Sequence, residues 1–119
     1  MTESLYPAST PEIANMKKDL APAQYEAFRN FSRAVFAEGA LPEKTKQLIA
    51  VAVAHVTQCP YCITGHTKLA ASKGASPEEI MEAIWVAAEM RAGGATAHST
   101  IALHTLIADT HDADGKAAD

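Results

Sequence analysis

The chain has 119 residues, of which 48% are hydrophobic and 20% charged, and a formal net charge of -4 at pH 7. Those values fit a single ordinary globular domain and argue against a disordered chain. The scattered lysines and arginines offer no clustered basic face for nucleic acid, and no apolar run approaches the roughly 18–20 residues of a membrane span.

Met1-Thr2-Glu3-Ser4-Leu5-Tyr6-Pro7 lacks the basic and apolar parts of a secretory signal, so a cytoplasmic protein is expected. Thr10-Pro11-Glu12 reads as a helix start, a hydroxyl N-cap followed by proline, with a short helix to about Asp19. Pro22 opens a second helix, whose Tyr25, Phe28, Phe31, Val35 and Phe36 share an apolar face, and Gly39 is its expected end. Pro42 opens a third, with Leu48, Ile49, Ala52, Val53 and Val56 at three- and four-residue steps. Cys59 before Pro60 is a candidate N-cap for a fourth, which would carry Cys62, His66 and Leu69 and stop at Gly74.

Ser76-Pro77-Glu78-Glu79 is a capping box for a fifth helix. That helix is apolar on two sides: Ile80, Ala83, Ile84 and Ala87 form one stripe, Met81, Trp85 and Met90 part of another. A single chain of this length would struggle to bury both, which points to a homo-oligomer. Gly93-Gly94 is expected to break or kink the chain, and a sixth helix to run from about Ala95 to Ala108. No segment alternates with the period of a strand. The expected fold is a compact all-α domain of about six helices, with a helical segment over 1–40, a core over 41–110 and a disordered tail over 111–119. Aromatics are only 6%, so the core must be built from small, closely packed side chains.

Both cysteines lie in Cys59-Pro60-Tyr61-Cys62, and His66 follows four residues after the second. Two thiols this close can close and reopen a disulfide, and a histidine one turn away can take a thiol proton. In a reducing compartment such a pair is catalytic or metal-binding rather than a structural staple. A thioredoxin-like fold would need a strand before the motif, and the residues before it are helical in pattern. The dithiol chemistry does not need that fold, because a thiol at a helix N-terminus meets unpaired N–H groups and the positive end of the dipole.

His55, Cys59, Cys62 and His66 also spell H-x3-C-x2-C-x3-H, four zinc-type donors. All four would come from one helix end and the next helix start, whereas structural zinc sites draw ligand pairs from elements separated by a longer loop. The plainest alternative is two buried cysteines that merely pack. His98 and His104 read as packing or interface residues and His111 as solvated. No nucleotide- or flavin-binding motif occurs, so no cofactor is expected.

From Leu41 to about Leu103 the sequence resembles the AhpD-like alkylhydroperoxidase core of the carboxymuconolactone decarboxylase superfamily. The resemblance rests on Lys46-Gln47-Leu48-Ile49-Ala50-Val51-Ala52-Val53-Ala54-His55, Cys59-Pro60-Tyr61-Cys62, His66, Gly74-Ala75-Ser76-Pro77-Glu78-Glu79-Ile80 and Arg91-Ala92-Gly93-Gly94. It implies an all-helical fold, assembly into homotrimers or homohexamers, and reduction of a small-molecule peroxide at a dithiol that a dithiol or lipoyl-type protein regenerates. The decarboxylase branch lacks the dithiol, so its activity is not expected here. By the same resemblance Cys62 is the peroxidatic thiol, Cys59 the resolving thiol and His66 part of a proton relay.

Two positions depart from the family pattern. Where a glutamate is usual, twelve residues before the first cysteine, this chain has Gln47. An amide can hold a hydrogen bond but cannot accept a proton at neutral pH, so either Glu43 one turn earlier serves the relay or the relay is weakened. Between the cysteines Tyr61 stands where the family's type member has histidine. A simple dipole argument makes Cys59, as N-cap, the more acidic thiol, whereas Cys62 has His66 within reach as its base. Disulfide reduction and a non-catalytic redox sensor are the alternative roles for the same dithiol.

Overall fold

A computed structural model describes residues 5–113, and among these every regular element is helical. The helices are α1 (Pro11–Leu20), α2 (Pro22–Phe36), α3 (Glu43–Thr57), α4 (Pro60–Ser72) and α5 (Pro77–Ala113).

Local chemistry explains most of the boundaries. Thr10 Oγ1 accepts the Ile13 N–H at 3.3 Å, and Pro11 and Pro22 occupy first-turn positions where no N–H is needed. The second helix ends at Phe36, short of Gly39, because Ala37 turns extended at φ -65° and ψ 149°. Helix α4 ends where glycine is required: Gly74 has φ +93°, and the N–H groups of Gly74 and Ala75 return to the carbonyls of Ala71 and Ala70. Ser76 and Glu79 cap α5 reciprocally, through Ser76 N–H to Glu79 Oε1 (2.9 Å) and Glu79 N–H to Ser76 Oγ (3.1 Å).

The core is small and centred on α3, which lies between α4 and α5. Val51 and Ala70 are fully buried, Ala75 nearly so, and Leu48, Ile80 and Ile84 pack around them. Ala54 of α3 and Ala87 of α5 are buried as well. Short side chains at 54, 70 and 87 let the helices approach closely, as the alanine-rich composition suggests.

Three expectations are corrected. The break at Gly93-Gly94 is absent: α5 is one helix of 37 residues, so five helices replace about six among the described residues. Glycine lowers helix propensity but keeps its N–H, and only proline would have removed a link of the ladder. The chain is also not compact by itself. Its radius of gyration is 21.7 Å, against about 13–14 Å for a globular domain of this length, because the end of α5 projects beyond the core. The helix also runs to Ala113, into the tail expected from His111; the rest of that tail lies outside the described residues.

Candidate functional site

The α3–α4 corner positions the thiols. Gln58 closes α3 in the left-handed conformation (φ 57°, ψ 47°), and Cys59 then caps α4 directly. This turn makes the connection only two residues long and sets Cys59 at the exact start of the helix that carries Cys62 and His66. Cys59 Sγ accepts the Cys62 N–H at 3.3 Å. Both cysteines are free and half-buried.

Their acidities are driven apart. The Cys59 thiol is held below its ordinary pKa, first by a hydrogen bond from the Cys62 side chain and then by the Cys62 backbone N–H. The Cys62 thiol is pushed up, first by that same side-chain bond to Cys59, then by burial and by the neighbouring charge. Cys59 is therefore the more acidic thiol of the pair, and Cys62 is the side chain placed to donate to it.

His66 lies one turn beyond Cys62 on α4, and both line a groove of about 380 Å³. Val35, Phe36, Ile49, Ala50, Val53, Ala54, Thr57 and Lys46 complete its wall, so the groove is apolar apart from its thiol, imidazole, hydroxyl and ammonium. His66 Nδ1–H donates to Gln47 Oε1 at 2.8 Å, which leaves Nε2 as the nitrogen able to accept a proton. Gln47 is itself 5% exposed, so its amide is held by the core. On one face, the Phe36 ring stacks on the imidazole at 5.1 Å between centroids and 29° between planes.

The antiparallel packing of α3 on α4 sorts the remaining candidates. It sets Gln47 beside His66, but it sets Glu43 beside the far end of α4, where it pairs with Lys73 at 2.8 Å. Glu43 is thus engaged away from the thiols. His55 turns back along its own helix, its Nδ1 2.7 Å from the Val51 carbonyl. The spacing of His55, Cys59, Cys62 and His66 does not become a metal site: no group of three or more His, Cys, Asp or Glu among the described residues is placed to hold an ion.

Tyr61 points away from the groove. Its hydroxyl donates to the Pro7 carbonyl at 2.8 Å, and its ring meets Tyr6 edge-on at 6.0 Å. His98, His104 and His111 are exposed on α5. No helix among the described residues is long and apolar enough to cross a membrane.

Sequence reasoning missed Lys46 and Phe36 as site residues. Lys46 Nζ donates to the carbonyls of Val35 (2.8 Å) and Ala37 (2.6 Å), tying the end of α2 to α3. Phe36 reads in sequence as one more residue of an apolar face. Only the docking of α2 reveals that it touches a histidine 30 positions away.

The profile of the carboxymuconolactone decarboxylase family matches residues 22–105, which include Phe36, Gln47, both cysteines and His66. A Paracoccus denitrificans protein described as uncharacterised protein 4 in the cox locus is 67% identical over 81 residues, covering 68% of this chain and 73% of the relative. An uncharacterised protein of Cupriavidus necator is 34% identical over 82 residues, 69% of this chain and 73% of its own. Among solved structures, one from Methanobacterium thermoautotrophicum superposes with a TM-score of 0.66 at 37% identity, over 70% of this chain and 93% of that one. The apo crystal structure of a carboxymuconolactone decarboxylase family protein from Legionella pneumophila gives 0.61 at 35% identity, over 66% and 70%.

Proposed function

The chain belongs to the carboxymuconolactone decarboxylase family, and within it we propose a thiol peroxidase that reduces organic hydroperoxides through the Cys59–Cys62 dithiol. The observation that carries this reading is the shared groove: Cys62 and His66 line one apolar hollow, while the more acidic Cys59 waits at the same helix end. A hydroperoxide enters with its alkyl part against Val53 and Ile49. His66 Nε2 takes the Cys62 proton, and the resulting thiolate attacks the O–O bond. Cys62 becomes a sulfenic acid, and the alkoxide leaves as an alcohol with the proton from His66.

Cys59 then attacks the Cys62 sulfur. The S–S bond forms as the S–O bond breaks, and the sulfenic oxygen leaves as water, taking the proton that the Cys59 thiol gives up as it attacks. In this order the acidity split is useful, since the resolving thiol is the one that ionises more readily. An external dithiol, on a small molecule or a lipoyl-type protein, restores the pair by exchange. Disulfide reduction is the second reading, and the lowered pKa of Cys59 favours it, because that is the thiol an incoming disulfide would meet as a nucleophile.

The test is free-thiol content of the reduced protein before and after a small excess of alkyl hydroperoxide. Two thiols per chain should disappear quickly and return with a dithiol. Cys62→Ser should abolish the loss, and Cys59→Ser should stop at a trappable sulfenic acid on Cys62. Oxidation without turnover in the presence of a dithiol would favour a sensor. Untouched thiols would sink the peroxidase and bring disulfide reduction forward.

A further inference from the structure

Three elements converge on the His66 ring, and only two of them belong to the α3–α4 core. Gln47 of α3 holds Nδ1, and the backbone of α4 carries the ring. The third is Phe36, the last residue of α2, stacked on the imidazole face. Neither α1 nor α2 contributes a buried residue, so apolar burial does little to seat this pair of helices on the core. What seats the end of α2 is Lys46, whose ammonium bonds the carbonyls on either side of Phe36, those of Val35 and Ala37.

Lys46 and Gln47 are adjacent in α3. One grips the turn that delivers Phe36, the other grips the ring that Phe36 covers. We propose that Phe36 is a positioning residue for His66, and that Lys46 is the clamp that holds Phe36 in place. This rests on the reading of His66 as the base for Cys62.

The physical argument is about rotation. A single hydrogen bond at Nδ1 leaves the imidazole free to swing about that contact, and swinging turns Nε2 within the groove it shares with Cys62. A ring stacked at 5.1 Å and 29° removes that freedom on one side. Lys46 supplies two bonds from a cation to carbonyls at a helix C-terminus, a charge-assisted arrangement that also favours the negative end of the α2 dipole. Removing the clamp should let the end of α2 and Phe36 drift together, so the two residues act through one path.

The test compares Phe36→Ala, Phe36→Tyr, Lys46→Met, Lys46→Arg and the double variant Phe36→Ala/Lys46→Met in the reduced full chain. The first readout needs no peroxide: the ring nitrogen and proton resonances of His66. The parent protein should show one tautomer with the proton on Nδ1. Phe36→Ala and Lys46→Met should each shift the ring protons, as the aromatic neighbour is lost in the first and drifts away in the second, and average the two tautomers. The aromatic and basic conservative variants should restore the parent spectrum.

The second readout is peroxide turnover. Each disruptive variant should lower kcat on the order of 10-fold with KM little changed, and the double should lose no more than either single. Additive losses in the double variant, or unaltered His66 resonances in Phe36→Ala, would overturn the proposal. If the parent protein itself turns over no peroxide, the peroxidase reading falls while the resonances alone still decide the clamp. A Phe36→Ala chain that fails to fold would be recognised by collapsed amide dispersion, and Lys46→Met against Lys46→Arg would then decide.

Discussion

Cys59 and Cys62 carry the same side chain three positions apart, yet their environments give them different acidities. The backbone N–H and the side chain of Cys62 both serve the Cys59 sulfur as donors, whereas Cys62 has only its own N–H, outweighed by the bond to Cys59 and by burial. A thiol with a lowered pKa exists as thiolate at lower pH, so site-resolved alkylation with iodoacetamide should modify Cys59 first as the pH rises. Cys62 should follow only above the ordinary thiol range. In Cys62→Ala the Cys59 profile should move back up, because its largest stabilising bond is gone. Gln47 is the other residue with a consequence. Its amide accepts the His66 N–H but brings no charge to stabilise an imidazolium as it forms. Gln47→Glu should therefore raise peroxide turnover, on the order of 10-fold if the relay is restored. An unchanged or lower rate, measured with the same dithiol, would show that the position does not serve the relay. The hydrogen bond to His66 was not readable from Gln47 alone, since it spans 19 positions and depends on how α4 lies on α3.

Helix starts were legible element by element because the groups that make them are neighbours in sequence. Thr10, Cys59, and Ser76 with Glu79 each bond an N–H three residues away, and Gly74 supplies the positive φ its turn requires. The end of α2 and the continuity of α5 were not legible. Both depend on contacts or their lack beyond the local window: Lys46 gathers the carbonyls at the end of α2, and nothing forces α5 to bend at Gly93-Gly94. A Cβ at position 94 would meet nothing within 4 Å in the single chain. Gly94→Ala should thus stabilise the helix by about 0.5–1 kcal/mol, seen as a higher denaturation midpoint. A loss of stability instead would mean that another chain packs against that position.

The whole chain leaves much apolar surface uncovered. Trp85, Val86 and Met90 are 60–64% exposed on α5, and Ile101, Leu103, Leu106 and Ile107 are 58–65% exposed on its outer half. Phe28 and Phe31 of α2 are 69% and 57% exposed. These lie on a chain whose longest dimension is 66 Å and whose long helix would span about 55 Å. We propose that copies of this chain cover these faces in a homotrimer or homohexamer, since monomers rarely leave so many large apolar side chains to water. Light scattering of the purified protein should give about three or six times the 12.6 kDa chain mass. Leu106→Asp, on the outer half of α5, should lower that mass at unchanged helical content. A monomeric parent protein would defeat the proposal.

Taken alone, the sequence determined the helical class, the order of the helices and the place of the dithiol motif at the start of α4. Those follow from the 3.6-residue period, from capping groups three residues apart and from thiols one turn apart, all interactions that the chain makes with its own near neighbours. The tertiary structure decided which partner each site residue meets. Gln47 reaches His66 and Glu43 reaches Lys73 because α3 runs antiparallel to α4, and Phe36 covers the imidazole because Lys46 holds the end of α2. Such pairings join residues 9 to 30 positions apart. No local pattern encodes them, because they depend on the angle and offset at which whole helices pack.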